Sequence, residues 1–411
     1  MDNNFRYPGE FEKVSDVFMT WLPNYVSSPE YDSRETCIAI IKVLVGKAKL
    51  HINCASDESF DECQNMLKKA KIDTSQITFT RFNDTNFYVR DNGPSVMNDG
   101  HEHYRVINPG WSYYGVWDPN SASCKIARQA GVHMAVSLNI FDIVNSPLIS
   151  EGGDREFNGA GVMMCIEGTE VDKRNPKYTK KEVEEEYKRI YNVKKIIWLP
   201  KPIVEDDDYR NGPLEVKKDG TPVFGASFAS HIDEMCRFID KDKILLAEVT
   251  EEEATKSEAA KETKNRLDAA YKILKNSTDT NGNYFKIYRM PVAAPVEYVL
   301  KPNDLDYDLF KSFLKENNYK FFDGTPWPNG PVHFYAAAGY CNFLICNSVV
   351  VGQRYYHTGM SDIVKEKDEL AKRTLEECFP GRKVTMVDAL PLNLSGGGVH
   401  CWTKEVVSAE K

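Results

Sequence analysis

The sequence predicts an α/β fold, because short β-prone apolar runs alternate along the chain with longer segments of helical apolar spacing. The same order of strand, helix and strand returns five times without residue-level identity between the repeats. With 411 residues, 42% of them hydrophobic, the chain is long enough to bury a sizeable core. Five repeats of one supersecondary unit predict modules packed around an axis in a single domain over residues 1–411. An ordinary open α/β sheet is the alternative that the pattern leaves.

The predicted strands are apolar, β-prone runs, and they lie at 17–22, 50–54, 77–81, 87–97, 104–108, 161–166, 196–199, 235–238, 244–249, 284–288, 343–351 and 384–387. The predicted helices follow helical patterning, and they cover 34–49, 59–70, 122–130, 180–191, 251–275 and 362–378. Two stretches, 203–224 and 300–330, carry Pro, Gly and charge, so we expect excursions or lids there instead of linkers.

Composition argues against several classes of protein. The chain has 52 Lys and Arg against 61 Asp and Glu, a net charge of -9, which argues against a nucleic-acid groove. Ten cysteines without a C-x-x-C pair are typical of reduced, buried thiols. The N-terminus lacks the pattern of a signal peptide, and no apolar run approaches the ~18–20 residues that span a bilayer. We therefore expect a soluble cytoplasmic protein with no nucleic-acid or membrane partner.

A glycine-rich segment near the C-terminus displays one cysteine. The run 395–398 is followed directly by Val399-His400-Cys401, and the pattern predicts no helix after the glycines. Glycines permit a close approach between backbone and ligand, so a thiol beside them can act as a nucleophile if nearby positive charge stabilises its thiolate. A buried structural cysteine is the alternative for Cys401.

A histidine and an acid lie two residues apart at the start of a predicted strand. Residues at this spacing in a strand point to the same side, so we expect His231 and Asp233 to face one cavity. The imidazole would transfer protons and the carboxylate would hold a cation. A surface histidine beside acids would show the same pattern, and so would a pair of metal ligands, although no second cluster supports a metal.

Two further acids lie beside glycine turns. Asp91 ends a predicted strand just before a Gly-Pro turn, and Glu151 precedes a glycine pair. Each alone is ordinary turn chemistry. Together with Cys401 and His231 they form a set suited to a guanidinium. Carboxylates match its planar N–H donors, a thiolate can attack its carbon, and an imidazole can protonate the leaving nitrogen.

The combination of these motifs resembles the guanidino-modifying enzymes, or penteins, and within them the family of the agmatine deiminases and the bacterial peptidylarginine deiminases. The resemblance is carried by short motifs that occur in the same order along most of the chain: Pro8-Gly9-Glu10-Phe11-Glu12, Met19-Thr20-Trp21-Leu22-Pro23, Arg90-Asp91-Asn92-Gly93-Pro94, Glu151-Gly152-Gly153, Arg174-Asn175-Pro176, Ile197-Trp198-Leu199-Pro200, Ser230-His231-Ile232-Asp233, Tyr340-Cys341-Asn342-Phe343 and Gly396-Gly397-Gly398-Val399-His400-Cys401.

The resemblance implies a five-bladed α/β propeller with pseudo-fivefold symmetry, and it implies roles for individual residues. Cys401 matches the nucleophile, and His231 the general acid and base. Asp91 and Asp233 match the carboxylates that grip the guanidinium. By the same resemblance, Glu151 is an acidic position beside the histidine and Asn342 is a polar position near the catalytic centre. No metal or organic cofactor is implied, and the oligomeric state, including a homo-oligomer, stays open.

The implied reaction is hydrolytic deimination of a small cationic guanidino substrate. It would convert agmatine to N-carbamoylputrescine and ammonia through a covalent thiouronium on Cys401. An aromatic residue such as Trp111 or Tyr114 would suit the ammonium at the far end of agmatine. Arg155 or Arg105 would suit the carboxylate of arginine.

Three alternatives stay open from the sequence. The first is deimination of arginine or peptidyl-arginine, although the Arg-x-Arg pair expected after the second strand for a peptide carboxylate is missing. The second is amidino transfer to an amine, because amidinotransferases share the fold and the nucleophile. The third is a binding module without activity, which the complete set of thiol, imidazole and carboxylates disfavours.

Overall fold

The computed structural model describes residues 4–22, 31–84 and 86–409. Pro23, the last residue of the motif Met19-Thr20-Trp21-Leu22-Pro23, lies outside the described residues. Residues 1–3, at the N-terminus that lacks a signal-peptide pattern, lie outside them too. Within the described part, no helix combines the length and the hydropathy needed to cross a membrane.

Five of the six sheets among the described residues repeat one arrangement. An antiparallel strand pair is followed by a helix and then by a strand that lies parallel to its neighbour in the pair. The elements up to residue 149 are β1 (Val14–Thr20), α1 (Ser33–Leu44), β2 (Lys49–Asn53), α2 (Asp57–Lys69), β3 (Ile77–Thr80), α3 (Val89–Asn92), β4 (Ser95–Asn98), β5 (Tyr104–Gly110), α4 (Ala122–Ser137) and β6 (Ile143–Ile149).

The middle of the chain continues with β7 (Glu156–Phe157), β8 (Val162–Ile166), α5 (Lys180–Tyr191), β9 (Lys195–Leu199), β10 (Glu215–Val216), β11 (Pro222–Gly225), β12 (Cys236–Asp240), β13 (Lys243–Glu248), α6 (Glu251–Ala254), α7 (Glu258–Lys275) and β14 (Lys286–Pro291). The last elements are β15 (Glu297–Leu300), α8 (Leu305–Ser312), β16 (Val332–Tyr335), β17 (Leu344–Cys346), β18 (Val349–Arg354), α9 (Asp362–Cys378), β19 (Lys383–Asp388), α10 (Leu390–Asn393), α11 (Val399–Trp402) and β20 (Thr403–Val407).

The five repeated sheets run β20–β1–β2–β3, β4–β5–β6, β7–β8–β9, β12–β13–β14 and β17–β18–β19. The first of them is completed by the C-terminal strand β20, which pairs antiparallel with β1. Its residues Thr403–Val407 directly follow α11, so the strand pairing fixes the position of the Cys401 segment against the N-terminal strand.

Two predicted helices, 180–191 and 362–378, have the bounds of α5 and α9. In α5 a capping box explains the start, because the Thr179 side chain accepts from the Glu182 backbone and Glu182 bonds back to the Thr179 backbone. The predicted helix 251–275 is two helices instead of one. Thr250 and Ser257 each act as an N-cap, and Ser257 begins a second helix after a break.

The predicted strand 343–351 is also divided, because it forms the hairpin of β17 and β18. Asn347 takes the left-handed conformation (φ 52°) at the tip, where Asn is one of the few residues that adopt it at little cost. The turn consists of Asn347 and Ser348, and it lies within an apolar run that contains no proline. The Asn-Ser pair is only a weak turn signal, so the run is predicted as one strand.

The first predicted excursion, 203–224, and the two strands that flank the second, 300–330, form a sixth sheet outside the repeated units, the excursion sheet, in the order β10–β11–β16–β15. Its own apolar cluster is strongly aromatic and includes Tyr209, Phe224, Phe310, Phe321, Trp327 and Phe334. The excursion is therefore a folded layer with its own small core, and it lies directly before the His231 segment along the chain.

A buried ion network joins segments from different units. Arg90 donates to Glu10 at 2.6 Å and to Glu405 at 2.5 Å, and Arg237 donates to Glu10 and to Glu156, both at 2.5 Å. Both guanidinium groups are fully buried. Removing one partner of such a network leaves an uncompensated buried charge, so the network specifies how these segments meet.

Candidate active site

A partly open cavity lies where loops of several units and of the excursion sheet meet. Four of the residues predicted from sequence line it, namely Cys401, His231, Asp91 and Asp233. The other lining residues are Tyr88, Tyr114, Asp206, Ser227, Phe228, Ala229, Glu234, Ser395 and Gly396.

Cys401 is buried in the short helix α11, which follows the glycine run directly. The expectation that no helix follows the glycines is therefore wrong. The helix is only one turn long, because the glycines precede it and strand β20 begins directly after it. Gly396 takes a left-handed conformation (φ 98°), and a Cβ at Gly398 would lie 2.7 Å from Asn342 Oδ1. The absence of side chains here lets Asn342 reach the thiol, and its Nδ2 donates to Cys401 Sγ at 3.0 Å.

The thiol lies in acidic surroundings. Burial, together with the carboxylates of Asp233, Glu234 and Asp91, raises the pKa of the Cys401 thiol well above its usual value. Sγ lies 3.8 Å from Asp233 Oδ2 and 3.9 Å from Glu234 Oε1. These surroundings favour the protonated thiol.

This electrostatic environment has a measurable consequence for the free protein. Alkylation of Cys401 by iodoacetamide should accelerate only above pH ~9, because the thiolate is the reactive form and a free cysteine titrates near 8.5. Mass spectrometry of the labelled peptide across a pH series, beside a Cys401→Ala sample, checks it. A rate that is already maximal at pH 7 would contradict the acidic environment described here.

His231 lies between two carboxylates instead of on a strand. The residues after it form a 3-10 turn, Ile232–Glu234, and strand β12 begins only at Cys236, so the strand that we expected here is wrong. His231 Nδ1 lies 3.6 Å from Asp91 Oδ1, and Nε2 lies 3.5 Å from Glu151 Oε2. Burial alone would lower the pKa of His231, but Asp91 and Glu151 outweigh it and raise the pKa to about 10.

The ring nitrogens of His231 have no hydrogen-bond partner among the described residues. The ring is therefore a cation held by charge and not by close hydrogen bonds, with both N–H groups free to reach a ligand or a water molecule. His231 and Cys401 line the same cavity, where a protonated imidazole is a potential proton donor to a bound ligand.

Asp91 lies in the helical turn α3, within the predicted strand 87–97. The apolar, aromatic residues before it favour a strand, but the buried ion pairs of its neighbour Arg90 hold the segment in a turn. Asp91 Oδ2 accepts from the Tyr114 hydroxyl at 2.8 Å, and Oδ1 accepts from the Gly153 backbone N–H at 2.9 Å. Burial raises the pKa of Asp91 despite the nearby His231.

Asp233 is held by the histidine that precedes the thiol. Asp233 Oδ2 lies 2.7 Å from His400 Nδ1, and His400 Nε2 lies 2.8 Å from Glu10 Oε2, so the site is linked to the buried ion network. Burial raises the pKa of Asp233, but the hydrogen bond and charge of His400 reverse this and lower it. Asp233 Oδ1 has no hydrogen-bond partner among the described residues, which leaves an ionised acceptor at the cavity.

Glu151 is fully buried, and its two carboxylate oxygens share the single Nε–H of Arg174, which lies 2.9 Å from Oε1 and 2.7 Å from Oε2. Burial raises the pKa of Glu151, but Arg174 and then His231 more than compensate, so the pKa is lowered. The Arg174-Asn175-Pro176 motif thus supplies the counter-charge that keeps the carboxylate beside His231 ionised.

Trp111 and Arg155 lie elsewhere than the sequence-based expectation placed them. Both line a second cavity that shares only Asp91 with the first. Trp111 packs edge-on against Tyr114, with ring centroids 5.2 Å apart. It is Tyr114 that reaches the first cavity, so Trp111 supports the aromatic wall from behind.

Arg155 is committed to the interior. Its guanidinium donates to the Tyr191 hydroxyl and, at 3.2 Å, to Ser95 Oγ. Arg105 pairs with Asp142 at 2.9 Å. Neither arginine lines the Cys401 cavity, so neither is placed to bind the carboxylate of a substrate held there.

From the sequence, Glu234 has no assigned role, and the acids at 205–208 mark only a stretch where the far end of a substrate could be bound. Glu234 and Asp206 line the cavity, and Asp206 fixes the His231 segment by accepting from the His231 backbone N–H at 2.5 Å. Burial raises the pKa of Asp206 to about 7. The run of acids at 205–208 and the acid following His231-Ile232-Asp233 were visible signals, but only tertiary packing shows which acids turn inward.

One group of side chains at the site has the donor types of a metal site. One ligand atom each of Asp233, Glu234 and Cys401 lies within 4.8 Å of the others. All three residues line the Cys401 cavity, so this group belongs to the same site. A second such group, Glu10, His400 and Glu405, is part of the buried ion network.

Comparison with known proteins places this chain in a family. The family model for the Porphyromonas-type peptidyl-arginine deiminases matches residues 6–212 and 218–406. An agmatine deiminase of Medicago truncatula is 25% identical over 419 residues, covering 98% of this chain and 96% of the relative.

Solved structures show the same fold. The agmatine deiminase of Enterococcus faecalis superimposes with a TM-score of 0.75 at 21% identity, covering 99% of this chain and 97% of that one. The agmatine deiminase of C. jejuni superimposes with a TM-score of 0.68 at 17% identity, covering 99% and 97%. The predicted α/β class is confirmed.

Fold and comparisons together define a guanidine-modifying hydrolytic enzyme of the pentein class. Because the family model covers nearly the whole chain, the chain belongs to the Porphyromonas-type peptidyl-arginine deiminase family. The resemblance inferred from the ordered motifs is thereby confirmed.

Proposed function

We propose that this protein hydrolyses the guanidinium group of agmatine to N-carbamoylputrescine and ammonia. The observation that carries the proposal is the convergence of Cys401, His231, Asp91 and Asp233 on one acidic cavity. The agmatine deiminases among its relatives support the same reaction.

Binding of the substrate would prepare the nucleophile. Asp91 and Asp233 accept N–H bonds from the planar guanidinium. The same carboxylates raise the pKa of the thiol, so the bound cation offsets their charge and favours loss of the thiol proton to solvent. The thiolate of Cys401 then attacks the guanidinium carbon and forms a neutral tetrahedral adduct.

The imidazolium of His231 would complete both halves of the reaction. It gives its proton to one amino group of the adduct. The C–N bond then breaks, ammonia departs, and a thiouronium cation remains on Sγ. The neutral imidazole then takes a proton from water while the hydroxide adds to the carbon. Cleavage of the C–S bond releases the ureido product and a proton and restores the thiolate.

The cavity wall favours agmatine over arginine. Among the described residues that line it are four acids and the aromatic rings of Tyr88, Tyr114 and Phe228, with neither lysine nor arginine. A distal ammonium is stabilised by carboxylates and aromatic faces. The carboxylate of arginine would instead lose its water without gaining a cationic partner, at a free-energy cost of several kcal/mol. This cost corresponds to a kcat/KM for arginine that is lower by at least about 100-fold.

An assay of three guanidines tests this proposal. Purified protein under reducing conditions would receive agmatine, free arginine and an arginine peptide, with ammonia and ureido product measured separately. We expect kcat/KM for agmatine to exceed that for arginine by about 100-fold or more. Turnover of arginine or the peptide alone would overturn the agmatine assignment, and amidino transfer to an added amine without ammonia would indicate a transferase.

We also infer that the five repeated sheets are the blades of a five-bladed α/β propeller within one domain. The shared strand order and the closure of the first sheet by β20 support this arrangement. The buried network of Glu10, Arg90, Glu156, Arg237 and Glu405 supports it too, because it gathers residues from separate units at one place.

A further inference from the structure

Glu234 has no role in the constellation predicted from the sequence, yet it lines the Cys401 cavity. The residue is 5% exposed, and its Oε1 lies 3.9 Å from Cys401 Sγ. Its other oxygen, Oε2, packs against Gly339, where a Cβ would overlap it. The carboxyl group is therefore held in a fixed position beside the thiol.

Asn342 connects Glu234 to the thiol. Asn342 Nδ2 donates to Glu234 Oε1 at 2.7 Å and to Cys401 Sγ at 3.0 Å. Asn342 Oδ1 accepts from the backbone N–H groups of His400, at 2.9 Å, and Cys401, at 3.3 Å. The two hydrogens of an amide nitrogen lie in one plane, so a bond that fixes one of them also sets the direction of the other.

We propose that Glu234 is a positioning residue for the nucleophile: it accepts one N–H of Asn342 and thereby directs the other N–H to Cys401 Sγ, where it stabilises the thiolate. This inference rests on the proposed role of Cys401 as nucleophile. It assigns Glu234 to the thiol and not to the substrate, whose guanidinium is held by Asp91 and Asp233.

The protonation state of Glu234 fits this role. Burial, and then the charge of Asp233, raises the pKa of Glu234 well above its usual value, which favours the neutral carboxyl. A neutral carboxyl still offers a carbonyl oxygen to Asn342, whereas an ionised one at this distance from Sγ would repel the thiolate. Glutamine should therefore replace Glu234 with little loss.

The experiment measures the thiol directly, by the rate of iodoacetamide alkylation of Cys401 without any guanidine present. The variants are E234Q, E234M, N342A and the double variant E234M/N342A, with Glu205→Gln as a control for loss of a half-buried acid elsewhere in the chain. We expect E234Q to remain within about threefold of wild type at pH 8, and E234M and N342A each to be about tenfold slower. The double variant should be no slower than N342A, because Glu234 acts through Asn342.

Kinetics with the preferred guanidine provide a second readout. E234M should lower kcat about tenfold and leave KM within about twofold, because the substrate carboxylates are untouched. A rise in KM for E234Q with kcat unchanged would overturn the proposal by making Glu234 a ligand of the guanidinium. Slowing of E234Q to the level of N342A, or multiplied effects in the double variant, would overturn it as well.

Two controls keep the outcomes separate. If E234M does not fold, E234Q and N342A alone decide, because the proposal requires fast alkylation in the first and slow alkylation in the second. If no guanidine yields a ureido product while alkylation follows the expected pattern, the proposed function fails and the link between Glu234, Asn342 and the thiol stands.

Discussion

Replacing Cys401 with serine should abolish formation of ureido product and ammonia, lowering kcat by about 10³-fold or more. Serine has almost the same shape and can still accept from Asn342, so the cavity should persist. Its hydroxyl is far less acidic than the thiol, and the surrounding carboxylates already oppose ionisation of the thiol itself. Steady-state ammonia release, together with acid-quenched mass spectrometry for an amidino adduct on Cys401, measures the loss.

The matched control is Cys378→Ser, which changes a buried cysteine at the end of α9, away from the cavity. It should keep kcat within about twofold of wild type. Burying the serine hydroxyl in an apolar environment costs free energy, so its melting temperature can fall without a loss of activity. Near-normal turnover by the Cys401→Ser protein would refute covalent catalysis by this thiol. An adduct on another cysteine in wild type would refute it equally.

Replacing Gly153 with alanine should reduce kcat/KM by about 100-fold, because a misplacement of catalytic groups by about 1 Å has this order of effect. A Cβ at Gly153 would lie 2.5 Å from His231 Nδ1, 2.9 Å from Asp91 Oδ1 and 3.2 Å from Asp233 Oδ2. One methyl group would thus displace three functional side chains at once, in a buried site where they cannot move freely.

Gly330→Ala is the control for this substitution. Gly330 has open space around its Cβ position and does not require a left-handed backbone, so its variant should match wild type in both kcat/KM and thermal stability. The Gly153→Ala protein should bind agmatine weakly as well as turn it over slowly, since two guanidinium ligands shift. Unchanged kinetics for Gly153→Ala would mean that the three side chains do not have to be packed so closely for catalysis.

The local parts of the fold follow from the sequence. Helices α5 and α9 agree with their predicted bounds because an amphipathic pattern, clear end signals and a long segment all favour the same answer. Errors occur where local preference and tertiary contacts disagree. The aromatic run before Asp91 favours a strand, but the ion pairs of Arg90 with Glu10 and Glu405 hold a turn.

The sequence also supplied the candidates for the reactive groups. Cys401, His231, Asp91 and Asp233 could be selected because a thiol, an imidazole and acids beside glycine turns form a chemically coherent set, and all four line one cavity. The strand geometry predicted for His231 and Asp233 is wrong, yet a tight turn brings both side chains to the cavity nonetheless.

Only the tertiary structure decided which polar residues surround those groups. Arg155 and Trp111 appeared suited to a substrate, but packing turns them toward a second cavity, while Glu234 and Asp206 face the first. The physical reason is that a side chain's direction depends on contacts between segments far apart in the chain, which no local pattern encodes. The sequence by itself therefore determined the fold class and the chemistry, and the packing decided the charge and shape around the thiol.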